Sequence, residues 1–216
     1  ATVRDDGSNK FGVNNKYGVF PSVGAKWVVS NENFMKNSSL FNDLSLRASW
    51  GITGNQEFPS GASQAQISST AYNAAGQTNV FNPDLKWEKT TMLDFGLSYG
   101  FLNGRISGMI DYYHKNTTDL LFQSTAIQPA PSSIYFINLP ANLINSGVEF
   151  SIGAGIIAKK DLSWDFNFNV AYDKNILRDF KQALIPTGQV NGNGVSGGLA
   201  QAITNNEPVD VYHLKP

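Results

Sequence analysis

The sequence predicts an all-β fold in which about seven long antiparallel strands form part of the wall of a transmembrane β-barrel. Three observations support this prediction. Apolar and polar residues alternate with a period of two, the alternating segments are long, and short and long connections take turns between them. Such a set of strands needs further strands to close, because barrel diameter grows with strand number and bare strand edges are costly in lipid.

The segment 87–101 shows the alternation most clearly. Its odd-numbered positions are largely apolar and aromatic, from Trp87 to Phe101, whereas its even-numbered positions carry small or polar residues such as Glu88 and Asp94. A period of two places these two sets on opposite faces of a strand. The same pattern recurs at 19–29, 44–53, 106–113, 148–156 and 164–173, and residues 1–5 also resemble the interior of a strand.

Strand length separates a membrane barrel from a soluble sandwich. Strands in soluble proteins are typically about 5 or 6 residues long, whereas a tilted strand needs roughly 9 to 11 residues to cross a membrane. The alternating segments reach the longer value. We therefore expect their apolar face to contact lipid chains. The alternative outside the membrane is a secreted β-sandwich, in which that face packs on a second sheet.

Connections of two lengths alternate along the chain. Long polar segments follow Asp5, Gly54, Lys115 and Asp173, and short ones lie at 31–42, at Asn103-Gly104 and at 159–162. Asn-Gly is the typical sequence of a tight hairpin turn. Outer-membrane barrels show the same asymmetry, with short periplasmic turns and longer extracellular loops.

With the short turns in the periplasm, the aromatic residues are predicted to form two rings at the membrane interfaces. The periplasmic ring would contain Trp27, Tyr99, Phe101 and Trp164, and the opposite ring Trp87, Tyr112 and Tyr172. Tyrosine and tryptophan are enriched at such interfaces because an apolar ring carries a polar N–H or O–H group. The alternative explanation is that aromatic residues are favoured in any strand.

Composition argues against several functional classes. A net charge of -1 without a basic stripe predicts no nucleic-acid partner. The absence of cysteine excludes disulfides and thiolate sites, and no apolar run approaches the roughly 18 residues of a membrane-spanning helix. His114 and His213 have no metal-ligand spacing, so we predict no enzyme activity, no metal and no cofactor.

One glycine motif in the sequence matches a nucleotide-binding pattern by letter. Gly192-x-Gly194-x-x-Gly197 matches the dinucleotide-binding fingerprint by letter, but a strand before it and an acidic residue about 20 positions later are missing. We interpret it as a flexible loop.

Several motifs together resemble the barrel of SusC/RagA-type TonB-dependent transporters. In chain order they are Phe11-Gly12, the stretches 17–27 and 46–56, Asn82-Pro83-Asp84-Leu85-Lys86-Trp87-Glu88, the stretch 111–121, and Asn145-Ser146-Gly147-Val148-Glu149-Phe150. They occur in the family's order and span nearly the whole chain.

The resemblance implies active uptake of an oligosaccharide or peptide across the outer membrane of a Bacteroidota-type bacterium. It implies a 22-stranded barrel around a plug, energised by TonB and capped by a SusD-like surface lipoprotein. Residues 1–216 are expected to be part of the C-terminal half of the barrel, without the plug domain or the TonB-contacting segment. The alternatives are a passive porin and a secreted carbohydrate-binding β-sandwich.

Two further sets of residues are candidates for functional contacts. The register predicts that Lys26, Arg47, Asp111, Glu149 and Asp165 point into the lumen, where they would meet a plug, line the solute path or be hydrated. In the long loops, aromatic residues are candidates for contact with substrate or lipoprotein. They are Phe58, Tyr72, Phe81, Phe122, Tyr135 and Phe136. The alternative for this second set is that the rings anchor the loops to one another.

Overall fold

The computed structural model describes residues 1–35, 40–70, 73–181, 184–192, 195–209 and 211–212. Nearly all regular structure is β. In chain order the strands are β1 (Thr2–Gly7), β2 (Tyr17–Val28), β3 (Phe41–Asn55), β4 (Ile67–Thr70), β5 (Asn73–Gln77), β6 (Glu88–Phe101), β7 (Ile106–Thr118), β8 (Leu120–Thr125), β9 (Ile134–Leu139), β10 (Asn142–Lys159), β11 (Leu162–Arg178), β12 (Ile185–Gly192), β13 (Val195–Ile203) and β14 (Val211–Tyr212). The helical structure within these ranges is one 3-10 turn, Val29–Asn31, and no helix there is long and apolar enough to cross a membrane.

The main sheet has seven antiparallel strands in the order β1-β2-β3-β6-β7-β10-β11. Apart from β1, these strands are 12 to 18 residues long, which confirms the predicted number and length of the strands. The sheet is open, with β1 and β11 at its two edges. The hydrogen-bonding order follows the chain order, so each long strand pairs with the next long strand along the chain.

Successive connections lie at opposite ends of the main sheet, but their predicted sorting by length is not strict. The connection 29–40, at the end that carries the tight turns, is longer than the connection 8–16 at the opposite end. The short turn between β6 and β7 is a tight hairpin, in which Leu102, Asn103 and Gly104 have φ of 51°, 57° and 78°. It is closed by a hydrogen bond of 3.3 Å from the Arg105 N–H to the Leu102 carbonyl. Long connections at the opposite end contain the hairpins β4–β5 and β8–β9 and the small sheet β12–β13–β14.

The hairpin of β12 and β13 corrects the interpretation of the glycine motif. Gly192 pairs with Val195 at the end of the hairpin, and Gly197 lies within β13, so the motif belongs to paired strands and not to a flexible loop. Gly194 lies outside the described residues. Backbone pairing that extends back to Ile185 and Ile203 aligns this glycine-rich stretch despite its composition.

The strand register assembles the apolar positions into continuous rows across the sheet. One row contains Ala25, Ala48, Phe95, Tyr112, Val148 and Tyr172, and the next contains Trp27, Leu46, Leu97, Ile110, Phe150 and Val170. Between them on the opposite face runs the row of Lys26, Arg47, Gly96, Asp111, Glu149 and Ala171. The predicted separation of an apolar and a polar face is confirmed.

Buried apolar residues occur mainly at the long-loop end of the sheet. One cluster contains Phe11, Phe20, Phe58, Leu85 and Trp87, and a second contains Leu139, Ala141, Leu177 and Phe180. We call these the first and second loop clusters. Residues of β8 and β9 pack against both of them. The long connections therefore form an ordered layer anchored to the strand ends.

Side chains also connect strands that are not neighbours. The Tyr99 hydroxyl in β6 donates a hydrogen bond of 3.2 Å to the Ser151 carbonyl in β10, although β7 lies between these strands. The ring passes over Gly108 of β7, where an added Cβ would overlap both the Tyr99 hydroxyl and the Ser151 carbonyl. We call this arrangement a glycine-crossing contact. It requires a residue without a side chain in the middle strand.

Replacing Gly108 by alanine should therefore weaken the sheet. The added methyl group must displace Tyr99 or the backbone of β10, which we expect to cost about 1–3 kcal/mol of unfolding free energy. The measurement is the unfolding free energy of purified protein. Gly24→Ala is the matched control, because a Cβ there would lie an ordinary 3.6 Å from the Ser49 Cβ. Equal effects of the two substitutions would contradict the glycine-crossing contact.

Candidate functional site

The apolar face of the main sheet is a large exposed hydrophobic surface. Side chains well inside the strands stay exposed, including Val23 at 50%, Phe95 at 48% and Val148 at 43%. Other residues of the rows described above, such as Leu97 and Phe150, are half-buried. Soluble monomers rarely expose a contiguous apolar patch of more than a few hundred Å². This face therefore requires an apolar surrounding.

The height of this face matches a membrane. Trp164 and Tyr172 lie eight positions apart on the same face of β11. That separation is about 26 Å along the strand, and a barrel tilt of about 40° reduces it to about 20 Å. The rings extend further at each end, which brings the height close to the roughly 25 Å apolar band of outer-membrane barrels.

Six of the predicted interface aromatics lie on this apolar face by register. Tyr112 and Tyr172 belong to one row near the long loops. At the short-turn end, the Trp27 Nε1–H donates a hydrogen bond of 3.0 Å to Glu32, and the rings of Tyr99 and Phe101 lie 5.3 Å apart. Trp164 lies on the edge strand at the same end. Contact of these rings with the membrane interface stays a prediction.

The prediction that Trp87 lies at the membrane interface is wrong. Its side chain is only 5% exposed, and its ring lies 4.8 Å from Phe11 and 5.4 Å from Phe20 in the first loop cluster. Its Nε1–H donates a hydrogen bond to the Lys16 carbonyl. Trp87 immediately precedes β6, so the alternation that fixes side-chain direction inside the strand does not extend to it. It anchors loops and does not face lipid.

The opposite face carries a cluster of charges. Arg47 of β3 forms ion pairs of 2.6 Å with Asp111 of β7 and 3.4 Å with Asp94 of β6. The guanidinium reaches Asp111 by passing over Gly96, where a Cβ would overlap both partners. Asp111 is 5% exposed, so Arg47 neutralises a carboxylate that would otherwise be buried without a partner. This pair is a second glycine-crossing contact.

A third glycine-crossing contact continues the cluster toward the sheet edge. The Tyr113 hydroxyl of β7 donates a hydrogen bond to Asp173 of β11, and its ring passes beside Gly147 of β10. The Lys115 ammonium lies 5.1 Å from the centre of the Tyr113 ring. Together with the Arg47 cluster and Glu149, these side chains line a depression of about 350 Å³. Its chemistry is that of a mixed-charge, water-facing surface.

The predicted lumen residues share this polar face. Lys26 pairs in register with Arg47, Asp111 with Glu149, and Asp165 with Gly155. The sequence reading missed Asp94, Tyr113 and Asp173 as members of the cluster. The available signal was the glycines at 96 and 147, which lie on this face between strands that carry long polar side chains. Within the described residues, no group of three His, Asp or Glu side chains is placed to hold a metal.

The predicted loop aromatics occupy different environments. Phe58 is buried in the first loop cluster, Phe136 packs against it with ring centres 6.2 Å apart, and Phe122 packs against the second loop cluster. Loop anchoring accounts for these three. Phe81 is exposed and Tyr135 is half-buried, and contact with substrate or partner stays a prediction for them. Tyr72, like His213, lies outside the described residues.

One known protein family matches most of this chain, including the sheet with its apolar and polar faces. The family described as "TonB dependent receptor-like, beta-barrel" matches residues 1–202. The chain belongs to this family. The seven-stranded sheet is accordingly part of the wall of a TonB-dependent receptor barrel, with lipid-facing and lumen-facing surfaces as expected for such a wall.

Individual relatives narrow the comparison to the SusC/RagA type. TonB-dependent receptor SusC of Bacteroides thetaiotaomicron is 37% identical over 185 residues, which cover 81% of this chain and 18% of SusC. TonB-dependent receptor P26 of Formosa agariphila is 34% identical over 183 residues, which cover 82% of this chain and 18% of that relative. The chain thus spans about a fifth of the length of these curated relatives.

Solved structures agree with this assignment. The RagAB peptide importer in the 'closed-closed' state has a TM-score of 0.79 and 28% identity, and the match covers 95% of this chain and 22% of that one. The 'open-open' state gives a TM-score of 0.76 and 28% identity, covering 93% and 21%. The predicted resemblance to SusC/RagA-type barrels is confirmed.

The burial of Trp87 in the first loop cluster predicts that its removal destabilises the receptor. Trp87→Ala should lower the unfolding free energy by about 3–5 kcal/mol, because it leaves a cavity in a closely packed aromatic cluster. Trp164→Ala is the control, since Trp164 lies on the apolar face at the short-turn end of β11 and its removal leaves no enclosed cavity; we expect a change below about 1 kcal/mol. Thermal unfolding in detergent compares the two variants. A larger loss for Trp164→Ala would refute the assignment of Trp87 to a structural cluster.

Proposed function

We propose that this chain is part of a TonB-dependent transporter that imports an oligomeric nutrient across the outer membrane of a Bacteroidota-type bacterium. The observation that carries the proposal is the continuous apolar face on strands of membrane length, opposite a charged face, in a chain of the TonB-dependent receptor barrel family. Residues 1–216 would form part of the C-terminal half of that barrel, as the resemblance of their motifs to the family implies.

A passive porin is the nearest alternative, because a porin wall also has one apolar and one polar face. Family membership favours energised transport over passive diffusion. The secreted β-sandwich alternative is disfavoured by the exposed apolar rows, since in a sandwich they would be buried against a second sheet.

The partners follow from the same family. TonB would supply the energy through parts of the receptor outside this segment. A SusD-like surface lipoprotein would bind at the long-loop end, where the loop clusters give the connections an ordered shape. The solute would be a peptide or an oligosaccharide. RagAB, one of the structural neighbours, is a peptide importer.

Uptake measurements test this proposal. Deleting the gene for the complete receptor should abolish uptake of one of two labelled mixtures, tryptic peptides or malto-oligosaccharides, and removing TonB should have the same effect. TonB dependence is the physical consequence of a plugged barrel, whose solute path opens only with energy.

The outcomes separate the candidates. Uptake that requires the receptor but persists without TonB would support the porin and contradict energised transport. Loss of peptide uptake alone identifies a peptide importer, and loss of oligosaccharide uptake alone identifies an oligosaccharide importer. Normal uptake of both mixtures in the deletion strain would contradict import of either solute class.

A further inference from the structure

On β7, β10 and β11, the sign of the charge depends on the face of the sheet. The lumen-facing side carries Asp111, Glu149, Asp165 and Asp173, with Lys115 as its cation. The lipid-facing side carries His114, Lys174 and Arg178 and, within these described strands toward the long loops, no acidic residue. A sheet exposed to water on both faces would be expected to carry acidic and basic residues on each face.

The register places the basic residues at the border of the apolar face nearest the long loops, which we call the upper border. His114, Ser146 and Lys174 form one row across the three strands. The adjacent row toward the membrane centre contains Tyr112, Val148 and Tyr172. Two strand spacings separate the ends of each row, a distance of about 10 Å. The row of His114, Ser146 and Lys174 therefore borders the row of Tyr112 and Tyr172 on the side of the long loops, where apolar positions give way to polar ones.

The two long basic side chains lie on β11, at the open edge of the sheet. No ion pair among the described residues involves Lys174 or Arg178. Asp179, next to Arg178, accepts a hydrogen bond of 2.6 Å from the Asn142 side chain. A lysine at the edge of the hydrocarbon extends its ammonium toward the headgroup level, where anionic lipids attract it.

We propose that His114, Ser146 and Lys174 bind the phosphate of a phosphorylated lipid headgroup in the outer leaflet, with Arg178 as a second cation four positions further along β11. The ammonium supplies a compact positive charge, and the serine hydroxyl and imidazole N–H supply hydrogen bonds to phosphate oxygens. Tyr112 and Tyr172 lie where the upper acyl chains pass, which favours a lipid over a soluble phosphate. This inference rests on the proposed position of the receptor in the outer membrane.

Lipid titrations of the complete receptor in a neutral detergent test the proposal. Short-chain phosphatidic acid is the phosphorylated probe, phosphatidylcholine of the same chain length is the zwitterionic control, and native mass spectrometry counts the bound lipids. We expect preferential binding of phosphatidic acid. Lys174→Gln should weaken that binding about fivefold.

Two matched variants make the result specific. Lys174→Arg keeps the positive charge and should keep the affinity. Lys160→Gln removes an exposed cation from the short turn between β10 and β11, at the other end of the sheet, and should leave the affinity unchanged.

Three outcomes would overturn the headgroup assignment. They are equal binding of the two lipids, equal affinity of Lys174→Gln and the wild type, and displacement of the lipid by inorganic phosphate at similar concentration. Failure of the proposed function is recognised separately, because a receptor that is not an outer-membrane protein would be missing from the outer-membrane fraction. A receptor found in that fraction with unaltered lipid binding in Lys174→Gln refutes this inference alone.

Discussion

Contact between one face of the sheet and hydrocarbon is the constraint on which the rest of this structure depends. The six longer strands of the main sheet place their apolar side chains in rows, and many of those side chains stay exposed. In water that surface would favour aggregation. In lipid it needs no second sheet, because the acyl chains themselves cover it. The inner strands pair on both sides, as the membrane interior requires, and the open edges at β1 and β11 need further strands of the barrel.

A wall covered by lipid on one side gains little from a conventional core, and stability must come from other contacts. Glycine-crossing contacts connect β3 to β7, β7 to β11 and β6 to β10. The first two lie on the lumen-facing side and the third on the lipid-facing side. The loop clusters then hold the strand ends together where the chain leaves the membrane.

The sequence was sufficient to predict features that arise from local repetition. Period-two alternation identified the long strands and their faces, and Asn103-Gly104 identified its turn, because both signals lie within a few neighbouring residues. The hairpins in the long connections were missed, since stretches such as β4 and β5 contain mostly small and polar residues. Trp87 was misplaced because alternation was extended one residue beyond the strand.

Contacts between distant residues depend on register, which the sequence alone does not supply. Arg47 and Asp111 are 64 positions apart, and their pairing follows only when β3, β6 and β7 are aligned so that Gly96 lies between them. The segregation of charge between the faces becomes visible in the same way. Each strand alone shows only a few charges, whereas the aligned sheet shows a pattern.

One matched pair of substitutions tests the lipid-facing assignment most directly. Ile110 and Met109 are neighbours on β7 with similar exposure, 39% and 43%, but they lie on opposite faces. Unfolding of the complete receptor from lipid vesicles should show Ile110→Arg destabilised by about 2 kcal/mol or more, because arginine would enter hydrocarbon. Met109→Arg would face water and should change stability by less than about 1 kcal/mol. Equal small effects of both substitutions would show that the apolar face does not meet lipid.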